Sequence, residues 1–491
     1  MYLVVLAAAA ALYIVTGAPG TLWQDSGMIQ YRVWHNDIEG KLGLALAHPL
    51  FYLLAIGAKY IPLGEFAHRV NLVSACAGAL AVANLFLLVR LWLGSNMAAV
   101  FAAITLALSH TFWQHAAVAE TYTLFNALQL AGLIMLLQYV KTGRVKYLYW
   151  LGFFNGLSVA DHMLGSIALA CYAVFIIYLL AKKQLRVSQV LAIAGLWIIG
   201  ALPYEYLIVR QMIQTGDVAA TLRSAAFGTS WAGAVMNTSL TPRIIKEDIL
   251  FILLNFPTPG FLLFFAGLAA LYKQAAGWAF GHIILALLVL FFLFAFRYTV
   301  PDRYAFFIPF YVMVSILMGV GFYHYILQKH RTAWAAVFFA CAFLPIGAYA
   351  VAPTIAKKAN LTLSQRQIPY RDENKWFLQP WLTGYCGAQQ FANAVFDTVE
   401  PNAIVYADNT TVYPLLYEQA VKHRRPDMKI TSKLASSPDS PRFDEETIAP
   451  LIGHVPIYVV SAVKGYVPEW LFETYDFEKA GPIWKVVKKN D

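Results

Sequence analysis

Long apolar stretches, each about 20 residues, recur along residues 1–352, and nothing else in the chain constrains its fold as strongly. A backbone inside a bilayer finds no water to bond, so such a stretch is stable there only as a helix crossing the ~30 Å hydrocarbon core. Helices are expected at 1–17, 67–93, 97–115, 120–140, 147–161, 163–181, 187–204, 247–271, 274–296, 305–325 and 332–352. Charged residues make up only 13% of the chain and mean hydropathy is +0.58; a soluble chain carries roughly 25% charged residues. The apolar runs are continuous rather than alternating, which excludes a transmembrane barrel. The expected fold class is therefore an all-α polytopic membrane domain of about eleven transmembrane helices over 1–352.

Charge orients it. The basic loops Lys141–Lys146, Lys182–Arg186, Lys273 and Lys329–Arg331 all fall on one side of this helix set, and the positive-inside rule makes that side cytoplasmic. Cytoplasmic anchors also account for the net charge of +9, so no nucleic-acid partner is expected. Residues 1–17 lack the basic start of a signal peptide and are read as a retained first helix, with the N-terminus cytoplasmic. Cys76, Cys171 and Cys341 fall in apolar segments and Cys386 outside them, so there is no disulfide framework.

The longer connections gather on the opposite, extracytoplasmic face, which suggests that this face carries function. The first, 18–66, holds Asp25, Asp37, Glu39 and His48 among Trp and Tyr residues, with an interfacial helix expected over 42–61 and a polar surface helix around Asp37 and Glu39. The connection 205–246, with Arg210, Arg243 and Trp231, reads as a lid, a membrane-surface helix or an ordered link. A polar connector, 353–379, carries Arg366 and Arg371. Residues 380–491 shorten to strand-length apolar runs at 403–407, 428–430 and 457–460 with a helix at 412–423, expected as a small α/β extracytoplasmic domain. Asn237, Asn360 and Asn409 head N-x-S/T triplets, a pattern common by chance.

Four constellations bear chemistry: Asp25 with its loop, Glu120 beside Trp113 and His115, Asp161-His162, and the turn Arg297–Tyr304. In that turn Arg297 and Arg303 could clamp a phosphate with their planar forks, or anchor at the interface. The P-loop, the G-x-G-x-x-G fingerprint, HExxH and the nucleophile elbow are all missing, which argues against soluble nucleotide chemistry. Carboxylates near Arg and His at an outer membrane surface suit a different chemistry, in which a lipid-linked phosphate is held while a carboxylate takes a proton from a hydroxyl. A transporter or lipid flippase is the rival, but no inverted repeat is visible.

Four blocks carry a family resemblance: Trp23-Gln24-Asp25-Ser26-Gly27; Ala47-His48-Pro49-Leu50-Phe51-Tyr52 followed by His68-Arg69-Val70-Asn71-Leu72-Val73-Ser74-Ala75; Phe112-Trp113 with Ala119-Glu120-Thr121-Tyr122; and Pro401–Ile404 with Pro414–Tyr417 and Arg425-Pro426-Asp427. In these the chain resembles the GT-C superfamily of membrane glycosyltransferases, in the branch that includes a eukaryotic transmembrane protein O-mannosyltransferase. The resemblance implies an inverting glycosyltransferase with a polyprenyl-phosphate sugar donor and a hydroxyl acceptor, either protein Ser/Thr or a glycan or lipid. It implies Asp25 as the catalytic carboxylate, with Glu120 at the second acidic position. His48 and Arg69 match motif positions, and His162 joins Arg297 and Arg303 as a candidate substrate-binding group. Some members use a divalent metal through D-x-D; here Asp25-Ser26-Gly27 departs from that pattern.

Overall fold

A computed structural model describes residues 1–489 apart from 63, 230, 231, 236, 238, 274–276, 301 and 365. Trp231 and Pro301 of the expected loops therefore lie outside the described residues. Helices stand at all eleven expected places, but the count of eleven spans is not reproduced. Among the described residues, six helices are long and apolar enough to cross a membrane, or up to eight if each of two bent pairs is one span. The expected helix 97–115 breaks into Asn96–Ala107 and His110–Ala116, bent by 72°. The expected 247–271 breaks by 107° between Pro242–Asn255 and Pro259–Lys273, where Pro257 and Pro259 remove helical N–H donors. The shorter apolar helices Tyr2–Thr16 and Gly165–Ala181 pack beside the longer ones in an integral, multi-pass bundle.

Every residue of Ile308–Phe322 is buried, so this helix forms the middle of the bundle. Glycines set the closest helix crossings. A Cβ on Gly267 would lie 1.9 Å from the Leu317 carbonyl oxygen, and one on Gly156 would lie 2.1 Å from that of Trp197. Membrane helices lack a hydrophobic drive to associate, and such backbone approach supplies the packing instead.

Several helices start at one level and end at a basic loop. Phe66–Leu93 runs from Arg69 to Arg90, Tyr122–Thr142 from Glu120 to Lys141, and Arg303–Leu327 from Asp302 to Lys329. At 1.5 Å per residue the 21 residues of Tyr122–Thr142 separate their ends by about 32 Å. The acidic groups therefore sit across the bundle from the lysines.

The C-terminal α/β region holds a five-stranded sheet of order β2-β1-β3-β5-β4, from β1 (Ile404–Tyr406), β2 (Lys429–Thr431), β3 (Ile457–Val459), β4 (Tyr475–Ala480) and β5 (Ile483–Lys488). β1 pairs in parallel with β2 and β3, and β5 is antiparallel to β3 and β4. Along β1, Val405 packs into one apolar cluster while Ile404 and Tyr406 pack into another, as the two-residue period of a strand buried on both faces requires. The three short strands stand where expected. The β4–β5 hairpin is an addition, hidden in the sequence because its charges mask the alternation.

Candidate active site

Asp25 lies in the first turn of helix Gln24–Trp34, where the helix dipole favours an anion. The residues before it are fixed from both halves of the molecule. Trp23 is buried in the apolar cluster of the C-terminal region, its ring 5.4 Å from that of Phe391 and its Nε1–H donating to Tyr385 Oη at 2.5 Å. Gln24, at φ +52°, donates its backbone N–H to the Thr410 carbonyl at 3.2 Å. From the membrane side, Gln30 Oε1 accepts from the Leu22 N–H at 3.1 Å, and Gln30 Nε2 donates to Asn71 Oδ1 at 2.8 Å. Asn71 in turn donates to the Ala18 carbonyl at 2.9 Å.

The same motif holds Glu120. Ser74 Oγ donates to the Glu120 carbonyl at 2.7 Å and accepts from the Glu120 N–H at 2.8 Å. Thus Asn71 and Ser74, one helical turn apart on Phe66–Leu93, fix the acidic blocks around Asp25 and Glu120. Arg69 acts elsewhere. Its Nη1 donates to the carbonyls of Ala58, Lys59 and Ile61, ending the short helix before it. His48, at φ +54°, starts that helix ahead of Pro49, and its Nδ1 donates to the Asp161 carbonyl at 2.7 Å. Burial and then the Arg32 charge hold His48 down at about 4, so its ring is neutral. The His162 ring lies 4.7 Å from it, tilted by 44°, and is likewise held low by burial.

Two cavities, of about 500 Å³ and about 240 Å³, meet at a shared wall made by Gln24, Asp25, Glu120, Asp302, Asn409 and Thr410. The larger adds Arg366, Arg371, Trp376 and Tyr304; the smaller adds His48, His162, Tyr52 and Tyr122. Asp25 is open to this space yet ringed by protein. Burial and then the Asp302 carboxylate push it up to about 7. Burial, then Asp25 and Asp302, raise Glu120 well above the ordinary range, and burial raises Asp302. Three carboxylates this close share protons rather than ionise independently. Among the described residues there is no group of three or more His, Cys, Asp or Glu arranged to hold a metal ion.

The expected arginine clamp is not at this wall. Arg303 pairs with the buried Asp248 at 2.6 Å and with Glu247 at 3.1 Å, so its charge is already compensated. Arg297 donates to the Val235 and Asn237 carbonyls at 2.6 and 3.0 Å, tying down the segment after residue 231. Neither arginine lines either cavity. Asp37 and Glu39 lie beyond the end of helix Gln24–Trp34 rather than on a surface helix; Asp37 sits 3.4 Å from Arg32, and Glu39 pairs with Arg210. Helix Val187–Thr215 runs past its expected end, and Val218–Phe227 follows, with Ser224 Oγ accepting from the Leu44 N–H at 3.0 Å.

The cation that sequence reasoning misses is Arg371, a connector residue. It pairs with Glu373 at 2.8 Å, lies among the rings of Trp23, Trp376 and Phe377, and keeps a buried Nη1 that has no hydrogen-bond partner among the described residues. Arg366, over the Tyr466 ring at 4.5 Å, is bound to Asp408. Asp302 enters the sequence reading merely as part of a turn. Its one sequence signal is a carboxylate directly ahead of a span, the feature that also marks Glu120.

Residues 42–187 match the family model of the N-terminal domain of protein O-mannosyl-transferase TMEM260. Protein O-mannosyl-transferase TMEM260 from Mus musculus is 31% identical over 215 residues, which are 41% of this chain and 29% of the mouse protein. The match thus spans under a third of that relative's length. Among solved structures, the crystal structure of ArnT from Cupriavidus metallidurans bound to undecaprenyl phosphate has the same fold, with TM-score 0.64 and 13% identity over 99% of this chain and 97% of that one. Over residues 42–187 the chain is thus similar to the N-terminal domain of protein O-mannosyl-transferase TMEM260, and over nearly its whole length it has the fold of ArnT.

Proposed function

We propose that the protein is an inverting glycosyltransferase that moves a mannose-like sugar from a polyprenyl phosphate to a hydroxyl, with protein Ser/Thr as the acceptor class. The observation that carries this reading is the carboxylate wall between two cavities, one of which is lined by Arg371, whose Nη1 is unpaired among the described residues. The donor phosphate sits in the larger cavity on Arg371, whose fork suits a phosphate. The sugar lies at the shared wall and the acceptor enters from the smaller cavity, facing the anomeric carbon from the side away from the phosphate. Asp25 takes the hydroxyl proton as the oxygen–carbon bond forms, the carbon–phosphate oxygen bond breaks, and polyprenyl phosphate leaves. Glu120 is the second acidic group, and His48 and His162 are neutral hydrogen-bonding groups on the acceptor side. The cavities lie across the bundle from the lysine loops, which supports an extracytoplasmic site and an extracytoplasmic C-terminal domain.

The test is Asp25→Asn, assayed for sugar transfer from a polyprenyl-phosphate sugar in detergent. A positioned base contributes roughly 10²–10⁴-fold, so turnover falls at least about a hundredfold with donor binding retained. Turnover near the wild-type rate removes Asp25 as the base. Donor binding by the wild type with no transfer to any hydroxyl favours a lipid transporter instead.

A further inference from the structure

Strand order reverses at β1: the chain goes from β1 to β2 on one side and later returns to β3 on the other. In open α/β sheets the crevice beyond the carboxyl ends of such strands is where ligands bind. Here the loop leaving the carboxyl end of β1, Ala407–Thr411, does not face solvent alone. Its Asn409 and Thr410 belong to the wall shared by both cavities, beside Asp25, Glu120 and Asp302.

The loop is rigid for a reason local to it. Asp408 Oδ1 accepts from the N–H groups of Thr410 and Thr411 at 2.9 and 3.1 Å and from Thr411 Oγ1 at 3.1 Å, while Oδ2 takes Arg366. On this fixed turn the Asn409 side chain is exposed and, among the described residues, has no hydrogen-bond partner. A carboxamide offers two donors and one strong acceptor, a set that matches neighbouring hydroxyls of a sugar ring.

We propose that the C-terminal α/β region is the sugar-reading part of the catalytic centre. The loop after β1 holds the Gln24 backbone, next to Asp25, through Thr410 and presents the Asn409 carboxamide to the hydroxyls of the donor's sugar. This rests on the donor reading above and adds to it the residue that distinguishes a sugar-charged lipid from a bare one.

The experiment uses the full-length protein in detergent and measures binding of two lipids, a polyprenyl phosphate and the same lipid carrying a hexose. The wild type binds the hexose-charged lipid more tightly. Asn409→Ala keeps its affinity for the bare lipid and loses about three- to tenfold toward the charged one, the worth of one or two hydrogen bonds. Asn409→Ser serves as the second variant if the alanine form is poorly produced. An unchanged preference in both variants overturns the proposal, and so does an equal loss for both lipids; either result leaves the donor reading standing. Failure of the wild type to bind either lipid overturns the donor reading and the sugar subsite together.

Discussion

The coupling between Asp302 and Asp25 has a measurable sign. A base must be ionised to accept a proton, and Asp25 is held up at about 7 first by burial and second by the Asp302 charge. With that midpoint about a tenth of Asp25 is ionised at pH 6 and about nine tenths at pH 8, so turnover rises about tenfold between them. Asp302→Asn keeps the size of the side chain and removes its charge. The Asp25 midpoint then falls, but not to the ordinary carboxylate range, because burial remains. The same pH 8 to pH 6 ratio therefore shrinks below tenfold. The assay is turnover against pH at saturating donor, with donor affinity measured at each pH. The limb belongs to the trio with Glu120, so its midpoint rather than its detailed shape is the readout. An acid limb that stays in place, or moves to higher pH, refutes the electrostatic coupling. A loss that is uniform across pH assigns Asp302 to substrate contact instead.

The two arginine environments separate cleanly. Arg303→Ala leaves Asp248 buried without its partner, and breaking such a pair costs about 3–5 kcal/mol, seen as a lower thermal midpoint and yield with unchanged donor affinity per folded molecule. Arg371→Lys keeps a charge but loses the fork, and Arg371→Ala loses both; donor affinity falls in that order, by about 10–100-fold for alanine, the worth of charge-assisted bonds. Ser74→Ala strands the Glu120 N–H and carbonyl, costing about 1–3 kcal/mol per group, and lowers both the thermal midpoint and turnover.

The membrane helices are legible in the sequence because bilayer burial leaves a continuous apolar signature, and Asp25 and Glu120 because carboxylates bordering such stretches have few structural uses. The span count is not, since Pro257 and Pro259 bend a helix by an angle that hydropathy does not encode. Asn71 and Ser74 are visible as a pattern without a role; their partners Gln30 and Glu120 lie 41 and 46 residues away in the chain. The same distance problem hides the surroundings of the arginines. Nothing near Arg303 in sequence announces Asp248, more than fifty residues earlier, and nothing around Arg371 marks its connector as a cavity wall. Asn409 sits in a triplet whose chance frequency hides a loop made functional by sheet topology.

Trp23 sets a timetable for biogenesis. Its place is in a cluster completed by Phe391, Val405, Tyr458 and Ile483, so the segment bearing Asp25 has no final seat until nearly the whole chain has been made. At about 5–20 residues per second, the ribosome reaches Ile483 on the order of half a minute to a minute and a half after Trp23. During that interval the first loop stands outside its nest with a large indole uncovered. A nascent chain released before the last strands would be inserted in the membrane yet inert, and it would offer that indole to chaperones and proteases.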